Sequence, residues 1–431
     1  MKIAILGGAG AFGSWYADLF FEKGHSVIIT RTKHQRNENI LFVSDNKEAV
    51  KDADIVILTV PIKETISVLR EVINLLKEGS LVVDFASVKI DICKELEKYK
   101  NKKIEIASVH PMHGPRVSSL KAKKVVFIPI KVGEKYKWLR NFFEEEKAEI
   151  IDSTAKEHDE ALSIVQGLTH FSSIVSAATI NSFNLNIDYL KKFSSPNCDI
   201  LIGLMSRILL QDPKLYASIQ IENKKNKKVR ENFIKIAKLL DKEIKKGNRN
   251  KVVEIIRDSG KIFHNVERNL FESDKMIEAL NSEMNYLLKQ VGKKIVVKNI
   301  LTKNFHYGIL KSVSAKEIVL IENNRELKLT IPNIIVLRED ETREWKIKNI
   351  KQEFRDYSFL IEENVDEKEV LNLFNNLEGI KEINIIDVFK SQKFYPKKSI
   401  TIRVGIFQDE DIEKVNEKIL RKIKSLGYSI R

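Results

Sequence analysis

The sequence has few cysteines and no long apolar run. Only Cys93 and Cys198 occur in 431 residues, far apart in the chain. They imply no disulfide framework, which excludes the small disulfide-rich secreted proteins and fits a reducing cytoplasm. No run approaches the roughly 20 apolar residues of a membrane span, and a strand pattern begins at Lys2, which leaves no room for a signal peptide ahead of it. We therefore expect a soluble, cytoplasmic protein.

The length and the charge narrow the architecture. At 431 residues the chain is about three times the usual length of a single domain, which predicts several hydrophobic cores. The net charge of +14 would suit an acidic partner, but the lysines are spread along the chain and mixed with glutamates. We therefore interpret the charge as a compositional bias.

The first half of the chain has two different patterns. Over residues 1–151, short β-branched runs alternate with segments of helical length, which predicts an α/β Rossmann domain. From 152 to 290 helical periodicity takes over, with a long segment from Thr154 to Asn181 and a second helix capped by Ser195 with Pro196 in its first turn. This part is predicted to be an all-α domain. The strand runs are KIAILG, SVIIT, DIVILTV, SLVVDFAS, IEIASVH and VVFIPI.

Two smaller domains are predicted in the C-terminal third. Closely spaced short strands over residues 291–340 indicate a small β-barrel. From about Trp345 the order becomes strand, helix, strand, strand, helix, strand, which predicts a ferredoxin-like α+β domain over residues 344–431.

A glycine-rich turn follows the first strand and precedes an amphipathic helix. Gly8, Gly10 and Gly13 have the GxGxxG spacing, which permits a tight turn, a close approach to a pyrophosphate and close helix–strand packing. The helix N-terminus, with Ala11 and Phe12, attracts negative charge. We predict a dinucleotide site at this turn and no metal.

The end of the second strand lacks the carboxylate that usually binds the ribose hydroxyls of NAD. The sequence offers Thr30, Arg31 and Lys33 instead. An arginine can stack on adenine and pair with a 2′-phosphate. We therefore favour NADP over NAD, and the alternative is a solvated basic loop with little discrimination.

Candidate catalytic residues lie after the later strands, where ligands bind in such sheets. Ser87 follows one strand and His110 ends another, where Pro111 restrains it. Taken alone, His110 is equally compatible with catalysis and with loop structure. In the helical region, Gln166 and His170 are four residues apart and share a helix face.

Arg207 is a cation on an otherwise apolar helix segment. A guanidinium there is costly to bury without an anion. It serves either the helix C-terminus or Asp212 locally, or it binds a carboxylate of a ligand.

Four segments in combination resemble the prephenate dehydrogenase family in order and spacing, within residues 1 to about 280. The resemblance implies a Rossmann domain and a helical domain that forms a homodimer, with the substrate in the cleft between them. It also implies the oxidative decarboxylation of prephenate to 4-hydroxyphenylpyruvate on the route to tyrosine. The segments are VDFASVK, SVHPMHGPRVSSLKAKKVV, EHDEALSIVQGLTHF and FSSPNCDILIGLMSRILLQDPKLYA.

The resemblance assigns the catalytic role to His110. Its neutral imidazole would accept a hydrogen bond from the ring hydroxyl at C4 of prephenate as hydride leaves that carbon. Ser87 would bind the same hydroxyl or orient His110.

The substrate-binding roles follow in the same way. Arg207 would bind a prephenate carboxylate, and His170 would line the pocket with support from Gln166. His158 and His113 are supporting candidates of lesser weight. Where relatives fused to chorismate mutase have an aromatic residue and an arginine after SSP, this chain has Asn197, Cys198 and Asp199, which leaves a second substrate-facing cation in doubt. No mutase domain precedes Lys2, so no chorismate mutase activity is expected.

Residues 345–431 resemble the ferredoxin-fold anticodon-binding domain of the bacterial phenylalanyl-tRNA synthetase β chain, through FRDYSFLIEENV, INIIDVF and YPKKSITIRVGIF. The strands before it resemble an Sm-like or SH3-like barrel. Both folds often contact RNA, whereas a regulatory module would sense tyrosine or stabilise the dimer. Because no dense surface of arginine and aromatic residues is apparent, we favour regulation or assembly over nucleic-acid binding.

Three other functions stay open at this point. An arogenate dehydrogenase would share the same motifs. A hydroxy-acid dehydrogenase with a Rossmann and a helical domain would need a lysine base on the long helix, where only Lys156 occurs, near its start. A dinucleotide-sensing RNA-binding protein would have no turnover with prephenate.

Overall fold

The computed structural model describes residues 1–30, 40–374 and 377–431. The chain divides into two compact units, Met1–Val266 and Glu267–Arg431. Each unit contains hydrophobic cores of its own.

The N-terminal part of the first unit alternates strands with helices, as the β-branched runs predict. An eight-stranded sheet results, in the order β3-β2-β1-β4-β5-β6-β7-β8, with β6 and β7 antiparallel and the other described neighbours parallel. The elements are β1 (Lys2–Leu6), α1 (Ala11–Glu22), β2 (Ser26–Thr30), β3 (Leu41–Val43), α2 (Asn46–Val50), β4 (Ile55–Leu58), α3 (Ile62–Val72), β5 (Leu81–Asp84), α4 (Ile90–Glu97), β6 (Glu105–Pro111), β7 (Lys124–Lys131), α5 (Glu134–Glu145) and β8 (Glu149–Asp152).

The strand order places the ends of β1, β4, β5 and β6 along one edge of the sheet. The chain leaves β1 toward β2 on one side and continues from β4 on the other, which makes β1 and β4 the switch point where dinucleotides bind in such sheets. Both sheet faces are covered: α1 and α5 pack on one, and α2, α3 and α4 pack on the other. This burial on both sides explains why the strands are continuous β-branched runs.

Helices form the rest of the first unit, as predicted. Thr154 and Glu157 form a capping box at the first helix, and the Ser195 hydroxyl accepts the Cys198 N–H ahead of Pro196. The elements are α6 (Ala155–Leu162), a π-helical turn (Ser163–Leu168), α7 (Thr169–Ser182), α8 (Ile187–Leu190), a 3-10 turn (Lys191–Phe193), α9 (Pro196–Leu209), α10 (Pro213–Glu222), α11 (Asn226–Lys245) and α12 (Arg249–Gly260). A Rossmann-like domain followed by a helical domain is thereby confirmed.

The helical stretch Ala155–Ser182 differs from the expectation that no run of the chain approaches the length of a membrane span. By length and composition alone it is long and apolar enough to cross a membrane, with a mean hydropathy of 1.2 over its most apolar 18 residues. Serine, threonine, glutamine and histidine interrupt the run, and for that reason no uninterrupted apolar segment is visible in the sequence. Only 22% of those residues are buried within the chain, which leaves an apolar helical surface uncovered.

The second unit contains two antiparallel sheets. One has the order β12-β11-β10-β9-β13, and Leu287 packs in its core; the other has the order β15-β16-β14-β17 and packs on two helices. The predicted Sm/SH3-like barrel and ferredoxin-like assignments, and the four domain boundaries, stay predictions. The elements are α13 (Val266–Lys289), β9 (Lys294–Asn299), β10 (Phe305–Val313), β11 (Glu317–Glu322), β12 (Arg325–Thr330), a 3-10 turn (Ile331–Asn333), β13 (Ile334–Val336), α14 (Glu339–Asn349), β14 (Gln352–Glu362), α15 (Glu367–Asn372), β15 (Ile380–Phe389), β16 (Lys397–Phe407), α16 (Ile412–Ser425) and β17 (Ser429–Ile430).

Candidate active site

The glycine-rich turn has the close contacts that a dinucleotide loop requires. A Cβ atom on Gly8 would lie 2.6 Å from Ile29 Cγ2, and one on Gly13 would lie 2.6 Å from Thr59 Oγ1. Gly10 is less crowded and begins α1 without a side-chain cap. The first-turn N–H groups of α1, which include those of Ala11 and Phe12, therefore have no side-chain cap, and a diphosphate fits this position.

Thr30 supports this turn from behind. Its side chain is fully buried, its Oγ1 accepts the Gly7 N–H at 3.1 Å, and its hydroxyl donates to Asn46 Oδ1 at 2.8 Å. The structure therefore uses Thr30 to hold the glycine turn rather than to present a hydroxyl to a ribose. Arg31 and Lys33, the predicted NADP contacts, lie outside the described residues.

His110 is the penultimate residue of β6 and is almost completely buried, with 3% exposure. Its Nδ1 lies 2.8 Å from His158 Nε2. In turn, His158 Nδ1 lies 2.8 Å from Asp159 Oδ1. Burial lowers the pKa of His110 well below its ordinary value, and the neighbouring His158 and Lys89 add to that shift. His110 is therefore neutral at physiological pH.

A buried ion pair lies behind this histidine. Both side chains of the Lys89–Asp84 pair are fully buried, and Lys89 Nζ donates to Asp84 Oδ1 at 2.7 Å and to Val109 O at 2.8 Å. Ser108 donates to the second Asp84 oxygen. The pair links the end of β5 to the last residues of β6 and fixes the backbone that carries His110.

The loop after His110 contacts α1, the helix that follows the glycine-rich turn. The Tyr16 hydroxyl lies 2.9 Å from His113 Nε2, and Trp15 donates its indole N–H to Val117 O at 2.9 Å. Rings of Phe12, Trp15 and Tyr16 surround the His113 imidazole. His113 therefore connects α1, the helix after the glycine-rich turn, to the loop that follows β6.

The long helix changes its winding at the predicted substrate residues. Gln166 lies in the π-helical turn Ser163–Leu168 and His170 lies one turn later, and a π-helical turn inside an α-helix often marks a functional site. Gln166 Oε1 and His170 Nδ1 are buried atoms with no hydrogen-bond partner in the described part of the chain. Since buried polar atoms are normally paired, these two are suited to a polar ligand. Burial lowers the pKa of His170 to about 4.

Arg207 lies on α9 and is exposed, so the burial cost considered from the sequence does not arise. It forms no ion pair among the described residues, and Asp212 instead caps α10 by accepting the Lys214 N–H at 2.9 Å. Asp212 is therefore not the local partner of Arg207, but Arg207 does lie in the last turn of α9, where its charge suits the helix C-terminus. Near Arg207, Tyr216 packs against His170 with ring centroids 4.8 Å apart.

The loop after His110 approaches the end of α9. A Cβ atom on Gly114 would lie 3.8 Å from Gln211 Oε1, and Gln211 donates to the Arg207 carbonyl. The Rossmann and helical parts of the first unit therefore approach each other here, through the loop that follows His110 and the end of the helix that carries Arg207.

Ser87 is half-buried, and it forms no hydrogen bond with His110 among the described residues. The contact with His110 that was considered for Ser87 is made instead by His158. Sequence reasoning gave His158 little weight and passed over Asp159, Tyr216 and the Lys89–Asp84 pair. His158, Asp159 and Tyr216 lie in the sequence segments EHD and LYA, but no local sequence pattern indicates which of these side chains contact each other.

Chemically, this region supplies a dinucleotide turn, a neutral imidazole, and two polar atoms and a guanidinium that have no partner among the described residues. This set can polarise a hydroxyl group, bind an anion and hold a nicotinamide dinucleotide.

Comparison with known proteins identifies the family. Residues 22–152 match the nucleotide-binding domain of prephenate dehydrogenase, and residues 154–258 match its dimerization domain. A probable arogenate/prephenate dehydrogenase of Methanocaldococcus jannaschii is 34% identical over 99% of this chain and 98% of its own length. The T-protein of Haemophilus influenzae is 30% identical over 52% of this chain and 57% of its own.

Solved structures are also similar. The crystal structure of prephenate dehydrogenase from A. aeolicus with hydroxyphenyl propionate and NAD+ aligns over 60% of this chain and 96% of that one, with 21% identity and a TM-score of 0.46. That of Synechocystis arogenate dehydrogenase aligns over 63% of this chain and 100% of that one, with 20% identity and a TM-score of 0.45. The family matches and the full-length relative carry the conclusion: the chain belongs to the prephenate dehydrogenase family of NAD(P)-dependent oxidoreductases.

Proposed function

We propose that this chain is a prephenate dehydrogenase, which converts prephenate to 4-hydroxyphenylpyruvate and CO2 in tyrosine biosynthesis. One observation carries the proposal. His110 is a buried, neutral imidazole whose Nδ1 is bound to His158, while its Nε2 has no partner among the described residues. A neutral imidazole nitrogen of this kind can accept a hydrogen bond from the hydroxyl of an alcohol that is being oxidised.

The residues of this chain would act by positioning and polarising the substrate. The bound nicotinamide supplies the acceptor for the hydride that leaves C4. His110 Nε2 accepts a hydrogen bond from the C4 hydroxyl and stabilises the positive charge that grows on its oxygen. The electron pair of the breaking bond to the carboxylate enters the ring, which becomes aromatic as CO2 leaves, and no net proton is needed.

Arg207 would bind a substrate carboxylate, because it is a cation without an ion-pair partner among the described residues. Gln166 and His170 would line the same pocket with their unpaired polar atoms. Ser87, in the segment that follows β5, would add a contact to the C4 hydroxyl.

Arogenate dehydrogenase is the second candidate. The relative from M. jannaschii has both activities in its name, and arogenate differs from prephenate by an amino group on the side chain. The chemistry at C4 and the role of His110 would be the same for both substrates.

NADP is the favoured cofactor and NAD is the alternative. The proposal rests on the sequence after β2, which lacks the carboxylate that would repel a 2′-phosphate.

A single assay tests substrate and cofactor together. Reduced cofactor is followed at 340 nm, with prephenate or arogenate, each with NAD and NADP. Turnover of prephenate with preference for NADP is expected, and the absence of turnover with both substrates would refute the proposal.

A variant tests the role of His110. His110→Asn should lower turnover by about 10² to 10⁴, because an asparagine cannot supply the same acceptor, while cofactor affinity is kept. His264→Asn, which removes an exposed histidine, is the matched control and should leave the rate unchanged.

We also propose a homodimer in which the helical domain of a second copy covers the exposed surface of Ala155–Ser182. The family's dimerization domain spans this helix, which favours a partner subunit over a membrane. Light scattering should give twice the chain mass of 49.7 kDa without detergent. A monomer would contradict this proposal.

The second unit is proposed to comprise a barrel over residues 291–340 and a ferredoxin-like module over residues 344–431 that regulates or stabilises the dimer. The β-α-β-β-α-β order of β14 to β17 supports the ferredoxin-like assignment. Specific tyrosine binding by the full-length protein in calorimetry is expected. A salt-sensitive tRNA shift would instead favour nucleic-acid binding.

A further inference from the structure

Asp159 is held as an acceptor of three hydrogen bonds. Its side chain is 1% exposed, and its two oxygens accept the backbone N–H groups of Lys89 and Ile90, each at 2.9 Å. The third partner is His158 Nδ1 at 2.8 Å. A carboxylate that accepts two fixed amide N–H groups has no proton to offer the imidazole, so His158 Nδ1 must be the donor.

The hydrogen bond from His158 to Asp159 fixes where the protons lie on both imidazole rings. Neutral His158, with its proton on Nδ1, has a lone pair on Nε2. That lone pair faces His110 Nδ1 at 2.8 Å, a distance at which one nitrogen must donate to the other. His110 therefore carries its proton on Nδ1, and its Nε2 is left with a lone pair.

We infer that Asp159 and His158 are positioning residues that fix the tautomer of His110, so that its Nε2 meets the substrate as an acceptor. The inference rests on the proposed role of His110 in oxidation at C4. It assigns a function to two residues of the helical domain that act through His110.

The opposite tautomer is disfavoured by the same contacts. If His110 carried its proton on Nε2, its Nδ1 lone pair would require a proton on His158 Nε2, and the His158 Nδ1 lone pair would then face a carboxylate. Two lone pairs at hydrogen-bond distance in a buried site are strongly unfavourable.

Burial is the largest of the effects that lower the pKa of both imidazoles, and it favours their neutral forms. Lys89 acts on both rings, His113 faces His110, and Asp84 faces His158 with the opposite sign. Lys89 and Asp84 are paired with each other, and Asp159 raises the pKa of His158, so the net lowering at His158 comes mainly from burial. Fixing one tautomer of a neutral ring is then the main contribution of Asp159.

Asp159→Asn is the sharpest test by kinetics. The asparagine amide can turn an N–H toward His158 Nδ1, which would move the proton of His158 to its Nε2. His110 would then carry its own proton on Nε2, and this nitrogen would become a hydrogen-bond donor instead of an acceptor. Turnover should fall by about 10² to 10⁴, the upper figure being the effect of the corresponding change in a serine-protease triad. KM for substrate and cofactor should change less than about threefold. Asp91→Asn, at an exposed carboxylate paired with Lys224, is the control and should leave turnover unchanged.

Two substitutions of His158 separate positioning from packing. In His158→Gln, the amide oxygen can accept from His110 and the amide N–H can donate to Asp159, so most of the turnover should be kept. His158→Phe fills similar space without an acceptor and should lose about 10² or more. Equal losses in the two folded variants would overturn the inference.

A direct measurement distinguishes this inference from the proposed function. ¹⁵N-histidine NMR of the substrate-free protein near pH 7.5 should show the Nδ1–H tautomer at His110, a signal assigned by its loss in His110→Asn, and the Nε2–H tautomer in Asp159→Asn. A native Nε2–H tautomer would overturn the inference even if prephenate is oxidised. The expected tautomer without turnover of prephenate or arogenate would uphold it and refute the proposed function instead.

Discussion

Lys89→Met should destabilise the first unit more than loss of an ordinary surface charge does. Lys89 and Asp84 are both fully buried, and the ammonium group also donates to Val109 O at 2.8 Å. Removing the lysine leaves a buried carboxylate without its cation, which costs about 3–5 kcal/mol. Since about 1 kcal/mol shifts the melting temperature of a domain of this size by about 2–4 °C, we expect a decrease of about 6–20 °C.

The double variant Asp84→Asn/Lys89→Met removes both charges. An asparagine can still accept the Ala86 N–H and bind Ser108, which Asp84 now does. Replacement of a whole buried ion pair is often close to neutral, so the double variant should melt well above the single one.

Calorimetry gives the melting temperatures of the single and double variants and so tests whether the buried ion pair stabilises the first unit. Lys103→Met removes an exposed pair with Glu78, whose side chains are 77% and 73% accessible, and should change stability by less than about 1 kcal/mol. If Lys89→Met loses no more than this control, or if the double variant is as unstable as the single one, the buried pair does not contribute as argued.

Other expected outcomes concern the ligand sites and pH. Arg207→Gln should raise the KM for prephenate about 10- to 150-fold with little change in kcat, because a charge-assisted hydrogen bond contributes about 1.5–3 kcal/mol; an unchanged KM would exclude a carboxylate contact. Gly13→Ala places a Cβ atom 2.6 Å from Thr59 Oγ1 and should weaken cofactor binding at least about tenfold by fluorescence titration, or lower stability by about 1–3 kcal/mol in urea unfolding. The acidic limb of kcat/KM should lie below pH 6.5, since burial lowers the pKa of His110. Stability should be fully present above pH 6.5 and fall below it, because the unfolded state binds protons that the buried His110 and His170 do not; a flat melting temperature between pH 7 and 5 would contradict this.

Local signals in the sequence determined the elements and the family. The β-branched runs predicted the strands of the first sheet, because each strand is buried on both faces and needs no alternation. Ser195 and Pro196 predicted the start of α9, since a cap depends on residues within one turn. The glycine spacing predicted the dinucleotide turn for the same reason.

Contacts between distant residues decided what the sequence alone did not. His110 and His158 are 48 residues apart, and Asp159 and Lys89 are 70 apart, so no local pattern indicates that they bond. The buried position of the Thr30 hydroxyl depends on the completed sheet, whereas the π-helical turn depends on how it packs against α10 and α11. The absence of a described ion-pair partner for Arg207 likewise depends on how the helices pack. The sequence by itself therefore determined which residues could do the chemistry. Only the tertiary structure decided which nitrogen of His110 has a partner among the described residues, because donor and acceptor roles are set by groups that folding brings together.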